Sequence, residues 1–142
     1  MTTKITDAIC RAIAQEFGET YAVYREEVRQ NAQTPAFLAE LQSAACKPRL
    51  AGRKFHILRF RIRYFPKQNN SRAEIYAVQE RLRQALQEIS LEDGPLRGLH
   101  LEGSPQDGTF CLSVEYHYFS REPEESREKM GSVSYFGTTA KP

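Results

Sequence analysis

The stretch KFHILRFRIRYF, Lys54 to Phe65, constrains this chain more than any other part of it. On an extended backbone His56, Leu58, Phe60, Ile62 and Tyr64 fall on one side, and Ile57, Arg59, Arg61, Arg63 and Phe65 on the other. Period-two alternation marks a half-buried β-strand, because successive side chains point to opposite faces of a sheet. A helix would scatter the three arginines among the apolar residues. The aromatic and aliphatic face must be covered by a second layer, and the other face carries a guanidinium stripe.

Two segments have the pattern of such a cover. Ile5, Ile9, Ala12, Ile13 and Phe17 recur at helical spacing, with Thr3 or Thr6 as candidate caps and Gly18 where the helix stops. Ile75, Val78, Leu82, Ala85, Leu86 and Ile89 form a second apolar stripe, opened by a Ser71–Glu74 capping box and stopped by Gly94 and Pro95. Between the helices, Thr20 to Val28 reads as a strand through Tyr21, Val23 and Tyr24, and Asn31 to Pro35 as a turn. Ala36 to Gln42 is a second strand candidate, although Ala, Leu, Glu and Gln there also suit a short helix, and Lys47 to Gly52 reads as loop. Leu96 to Glu102 is a modest strand, Ser104 to Gly108 a hairpin loop, and Thr109 to Phe119 a strong strand with Phe110, Leu112, Val114, Tyr116 and Tyr118 inward. The order α-β-β-β-α-β-β predicts an α+β domain, with about five strands in an antiparallel or mixed sheet and both helices on one face. Leu58, Phe60, Ile62, Leu82, Leu86, Leu112, Val114 and Tyr116 are the expected core.

A chain of 142 residues has room for one such core. Hydrophobic content of 40% and charged content of 27% argue against a disordered, collagen-like or coiled-coil chain. No apolar run approaches the roughly 18 residues of a membrane span, and Lys4, Asp7, Arg11 and Glu16 interrupt any signal-peptide core, so an intracellular product is expected. The net charge of +2 conceals an asymmetry: nine basic and no acidic residues lie between Glu40 and Glu74, leaving 11 basic and 18 acidic residues elsewhere. Such a chain can bind nucleic acid through its basic third, or stack on copies of itself, basic surface to acidic.

No motif of site chemistry stands out. Cys10, Cys46 and Cys111 are odd in number and widely spaced, which fits neither a disulfide framework nor a zinc half-site. Cys111 and His117 share a strand face but lie six residues apart, about 20 Å at roughly 3.3 Å per residue, far beyond the reach of a nucleophile and its base. Glu115 and His117 are close enough to meet, an arrangement that is ordinary on a strand surface. His56 reads as a core or rim histidine and His100 as an exposed one. Neither a phosphate-binding glycine loop nor a nucleophile elbow occurs. No cofactor or metal is expected.

Arg59, Arg61 and Arg63 carry the one functional signal. On an RNA-binding sheet, basic and aromatic residues share a face, so that bases stack while phosphates are neutralised. Here Phe60 and Tyr64 lie opposite the arginines, where the core needs them. The stripe therefore reads as a solvated or salt-bridged subunit contact, with a nucleic-acid-binding α+β module as the alternative.

Several features in order resemble the tail terminator (tail completion) proteins of long-tailed phages and prophages. They are the glutamate pair and glutamine Glu26, Glu27 and Gln30, then Pro35 with Phe37, then the Arg-rich strand closing on Tyr64 to Pro66, and the aromatic strand end Tyr116 to Phe119. The likeness runs from about Tyr21 to Phe119. It implies a non-enzymatic virion assembly protein that caps the tail tube, ends its polymerisation and forms the head-proximal joining surface. Its implied partners are copies of itself in a ring, by family resemblance a hexamer, the tail tube protein and a head–tail connector or neck protein. Its implied place is the host cytoplasm during assembly and then the virion tail. A closed ring needs two complementary patches per copy, for which Arg59, Arg61 and Arg63 on one side and Glu26 and Glu27 on the other are the candidates. Residues 1–120 are expected to form the domain and 121–142 an extended arm, with Tyr135 and Phe136 as its anchors on a partner.

Overall fold

The computed structural model describes residues 1–25, 34–67, 72–106 and 108–121. Its elements run α1 (Thr2–Phe17), β1 (Ala22–Tyr24), β2 (Ala36–Pro48), a single 3-10 turn (Leu50–Gly52), β3 (Arg53–Phe65), α2 (Arg72–Leu86), β4 (Glu88–Leu91), β5 (Gly94–Arg97), β6 (Leu99–Gln106) and β7 (Thr109–Arg121). Five strands form one sheet in the order β1-β2-β3-β7-β6, and β4 and β5 form a separate hairpin. β1 pairs parallel to β2, whereas β6 pairs antiparallel to β7. The fold is α+β with a mixed sheet. By internal packing the chain divides into two compact units, a larger one of Met1–Ala44 and Ile57–His117 and a smaller one whose described residues are Ala45–His56 and 118–121.

In the larger unit the alternation of β3 and β7 has the expected register. Leu58, Phe60, Ile62 and Tyr64 of β3 and Phe110, Leu112, Val114 and Tyr116 of β7 are all buried, as are Leu82 and Leu86 of α2. Ring contacts run in reverse order along the two strands, Phe60 with Tyr116 and Tyr64 with Phe110, so these strands are antiparallel. An aromatic row crosses the sheet beneath α1, from Phe17 and Tyr21 through Phe37 and Tyr64 to Phe110, with neighbouring centroids 4.7–5.7 Å apart. Offset and tilted contacts of this kind stabilise beyond the area that they bury. Both helices lie on the inward face, α1 through Phe17 on Phe37 and α2 through its last carbonyl, which accepts a 2.8 Å hydrogen bond from the Tyr116 hydroxyl.

Five local expectations are corrected. The helix predicted through Ile89 ends at Leu86, and Ile89 is instead the buried residue of β4. The reason lies in the carbonyls: a continuing helix would use Leu86 O and Gln87 O within itself, but Tyr116 Oη donates to the first and Gly98 N to the second. Gly94 and Pro95 accordingly open β5 rather than follow a helix. Leu96 to Glu102 is not one strand, because the chain breaks at Gly98 and an irregularity in β6 between Leu99 and Glu102 leaves His100 at φ 54°. β2 is the strand expected from Ala36, but its end is corrected, since it continues to Pro48 through residues read as loop. β6 likewise extends through Ser104 to Gln106, narrowing the hairpin loop. Neither Thr3 nor Thr6 caps α1: Met1 stands at the cap, and Thr6 Oγ1 donates 2.9 Å to Thr2 O within the helix. Ser71, most of the Asn31–Pro35 turn and the far end of the Thr20–Val28 strand lie outside the described residues.

Candidate functional site

The outer face of the sheet collects the charged residues that the helices leave uncovered. In the larger unit, contacts again run in reverse order along β2 and β3, Glu40 beside Arg61 and Phe37 beside Tyr64. That register places Glu40 within reach of two guanidinium groups. Its Oε1 accepts from Arg61 Nε at 3.2 Å and Nη2 at 3.0 Å, and lies 3.8 Å from Arg63 Nη1. On the β7 side Arg59 Nη2 donates to Glu115 Oε2. The three arginines thus lie on the predicted face, and each already meets a carboxylate of its own chain. A phosphate entering there must displace Glu40 and Glu115, which weakens the nucleic-acid alternative.

Glu115 is the centre of a second group. Its Oε1 stands 3.0 Å from His117 Nε2 and 4.0 Å from His100 Nε2, and its side chain is 13% exposed. The hydrogen bond from His117 is the largest influence on the carboxyl and lowers its pKa; burial opposes this, and Arg59 lowers it further. A carboxylate held below its ordinary range stabilises the fold above its unfolded-state pKa, and that contribution is lost as pH falls through the folded-state value. Glu115→Gln is therefore expected to lower stability at neutral pH but to matter progressively less as acid is added. Urea unfolding of both proteins across acidic pH measures this, and a pH-independent difference would remove the carboxylate from the account.

The remaining sequence candidates separate. Cys10 and Cys111 are buried, and desolvation raises both thiol pKa values, so neither is a ready nucleophile. Within the smaller unit, His56 stacks on Tyr118 with centroids 4.4 Å apart and its Nε2 lies 2.7 Å from Ser120 Oγ, a half-buried rim position. Among the described residues no group of three or more His, Cys, Asp or Glu is placed to hold a metal ion, and no helix is long and apolar enough to cross a membrane. A cleft of about 240 Å³ beside the start of α1 is lined by Lys4, Asp7, Arg11, Glu92 and Asp93, charges of both signs without a nucleophile among them. Glu26, Glu27, Tyr135 and Phe136 lie outside the described residues.

The pairing role of Glu40 was missed in the sequence reading. Its position as the last acidic residue before the long basic stretch was the available signal. Of the resemblance residues, Pro35, Phe37, Tyr64 and Tyr116 are buried, the last three in the aromatic core, whereas Phe65, Pro66, His117 and Tyr118 are half-buried and Phe119 is exposed. The four buried ones belong to the packing of the sheet's inward face.

A search of curated proteins gives no match. The family model described as phage tail terminator protein matches residues 4–128, nearly the whole chain. The two helices, the mixed sheet and the buried aromatic pattern thus stand in a chain that belongs to the phage tail terminator family, non-enzymatic structural components of the phage tail that cap the tail tube.

Proposed function

We propose that the protein acts as a homo-oligomeric ring, a hexamer by family resemblance, on the head-proximal end of the finished tail tube. There it stops addition of tube subunits and offers the joining surface for a connector or neck protein. The observation that carries this reading is the family match over residues 4–128. The self-paired outer face supports it: a surface whose arginines are met by Glu40 and Glu115 offers shape and fixed charge rather than a reaction centre. The side chains of Arg59, Arg61 and Arg63 are still about 40% exposed, which leaves them partly open to carboxylates of a neighbour such as Glu26 and Glu27.

Residues 1–120 form the capping body in this reading, and 121–142 extend the contact, Tyr135 and Phe136 docking in an apolar groove of a partner. A 22-residue extension spans up to roughly 75 Å when fully extended. Removing residues 121–142 is expected to leave folding intact and to weaken assembly on tubes; undiminished assembly would make the extension dispensable. The main test adds the purified protein to polymerising tail tube subunits. Tubes are expected to stop growing at the capped end, with rings visible there in electron micrographs. Tube lengths unchanged at saturating protein would overturn the reading.

A further inference from the structure

The smaller unit holds charges that nothing in its described part neutralises. They are those of Lys47, Arg49, Arg53 and Arg121, and no aspartate or glutamate occurs among the unit's described residues. The unit is also built to keep its shape. Arg49 N donates 2.7 Å to Arg53 O across the 3-10 turn, where Ala51 at φ 60° and Gly52 at φ 73° take the left-handed conformation. Phe55 packs on Phe119 with centroids 4.9 Å apart, Arg49 lies over Phe55 at 5.3 Å, and Arg53 over Phe119 at 4.5 Å. A guanidinium stacked by its face on a ring keeps its N–H edge available for carboxylates. Beside these charges Leu50 is 89% exposed and Phe119 53% exposed. An apolar residue among fixed cations has the composition of an interface centre with a charged surround.

The complementary surface is present in the same chain. Between Glu88 and Glu102 the carboxylates Glu88, Glu92, Asp93 and Glu102 are all exposed, and Arg97 is the only arginine or lysine in that span. Glu92 meets Lys4 at 3.9 Å with both side chains largely in solvent, a pairing of little strength. Two different patches of opposite sign on one chain are what a head-to-tail contact requires, and such a contact closes into a ring when the rotation allows.

We propose that the basic, aromatic tip of Ala45–His56 and 118–121 docks onto the acidic β4–β6 segment of a neighbouring copy. The inference rests on the ring reading above and adds a second subunit contact to the one on the Arg59, Arg61 and Arg63 face. Leu50 is the apolar anchor, and Lys47, Arg49 and Arg53 set the orientation through the carboxylates.

Charge exchange in the full-length protein tests it. One variant carries Lys47→Glu, Arg49→Glu and Arg53→Glu, and the other Glu88→Lys, Glu92→Lys and Asp93→Lys. Light scattering and micrographs of capped tubes report self-association, and circular dichroism reports folding. Each variant alone is expected to self-associate at least about tenfold more weakly than the wild type, and an equal mixture of the two to recover most of that loss. Leu50→Ser, at a solvent-facing position, gives an independent weakening without charge reversal and stands in if a triple variant fails to fold. A tip-reversed protein that forms rings like the wild type overturns the inference, as does a mixture that fails to recover. Loss of assembly on removing residues 122–142, with the β4–β6 variant unaffected, would identify the acidic run Glu122 to Glu128 as the occupant instead. Binding of a single-stranded oligonucleotide that is abolished by the tip reversal, with self-association unchanged, would assign the tip to nucleic acid. A wild type that stays monomeric both alone and on tubes refutes the ring reading itself before any variant is made.

Discussion

Replacing Phe60 by alanine should lower the unfolding free energy by about 3–5 kcal/mol, the usual loss when a fully buried phenylalanine is truncated and its cavity only partly collapses. Phe60 is 0% exposed, sits in the middle of β3, and meets Tyr116 of β7 edge-on with centroids 6.3 Å apart. Its neighbours Leu58 and Ile62 on the same face are equally enclosed. Strand neighbours on both sides hold the backbone, so the sheet has little freedom to close the void. A loss of this size is a large fraction of the stability of an ordinary domain. Equilibrium urea denaturation measures it. A change below about 1 kcal/mol would mean that the core does not centre on this strand.

Gly98→Ala is the second substitution with a large expected effect, about 2–4 kcal/mol from overpacking together with a disturbed buried hydrogen bond. An added Cβ would stand 2.4 Å from Leu86 O and 3.0 Å from a Val114 methyl. The first of these atoms is backbone and cannot rotate away. It is also the acceptor of the 2.8 Å bond from Tyr116 Oη, whose burial raises the phenol pKa and keeps the donor protonated. Moving Leu86 O to admit the methyl therefore strains the link between α2 and β7 as well as the turn at Gly98, whose own N–H donates to Gln87 O. Tyr116→Phe alone should lose about 1–3 kcal/mol, by leaving that carbonyl without its partner. A double-mutant cycle separates the two effects. If the crowding acts through the shared carbonyl, the double variant is less destabilised than the sum of the single ones; strict additivity would show that Gly98 matters for another reason.

How far the sequence speaks for itself is clearest at β3 and β7. Alternation over a dozen residues places every second side chain on one face, and a register slip of one would bury three arginines. Local pattern and burial demand agree there, so the strands, their inward faces and the eight expected core residues were legible. Helix α1 was legible for the same reason, because its apolar spacing has the helical period and Gly18 ends it. The order of aromatic and proline residues that resembles tail terminators was readable too, because it lies along the chain itself and needs no tertiary contact to be seen.

Tertiary structure decided whatever depended on a partner far along the chain. The end of α2 is set by Tyr116 and Gly98, 30 and 11 residues away from the carbonyls that they occupy, and Ile89 satisfies helix and strand patterns equally. β2 has helix-forming residues, yet pairing with β1 and β3 holds it extended, since intrinsic preferences of a few tenths of a kcal/mol yield to sheet pairing and burial. The arginine stripe shows the same limit on the functional side. Sequence placed Arg59, Arg61 and Arg63 on one face, but only the strand order brought Glu40 and Glu115 against them and turned an open basic surface into a largely self-neutralised one. The basic tip followed from the same assembly, because residues 45–56 and 118–121 are distant in the chain and become one surface only when β3 and β7 lie side by side. Side-chain period is a local property, whereas charge pairing and element ends depend on which strands become neighbours.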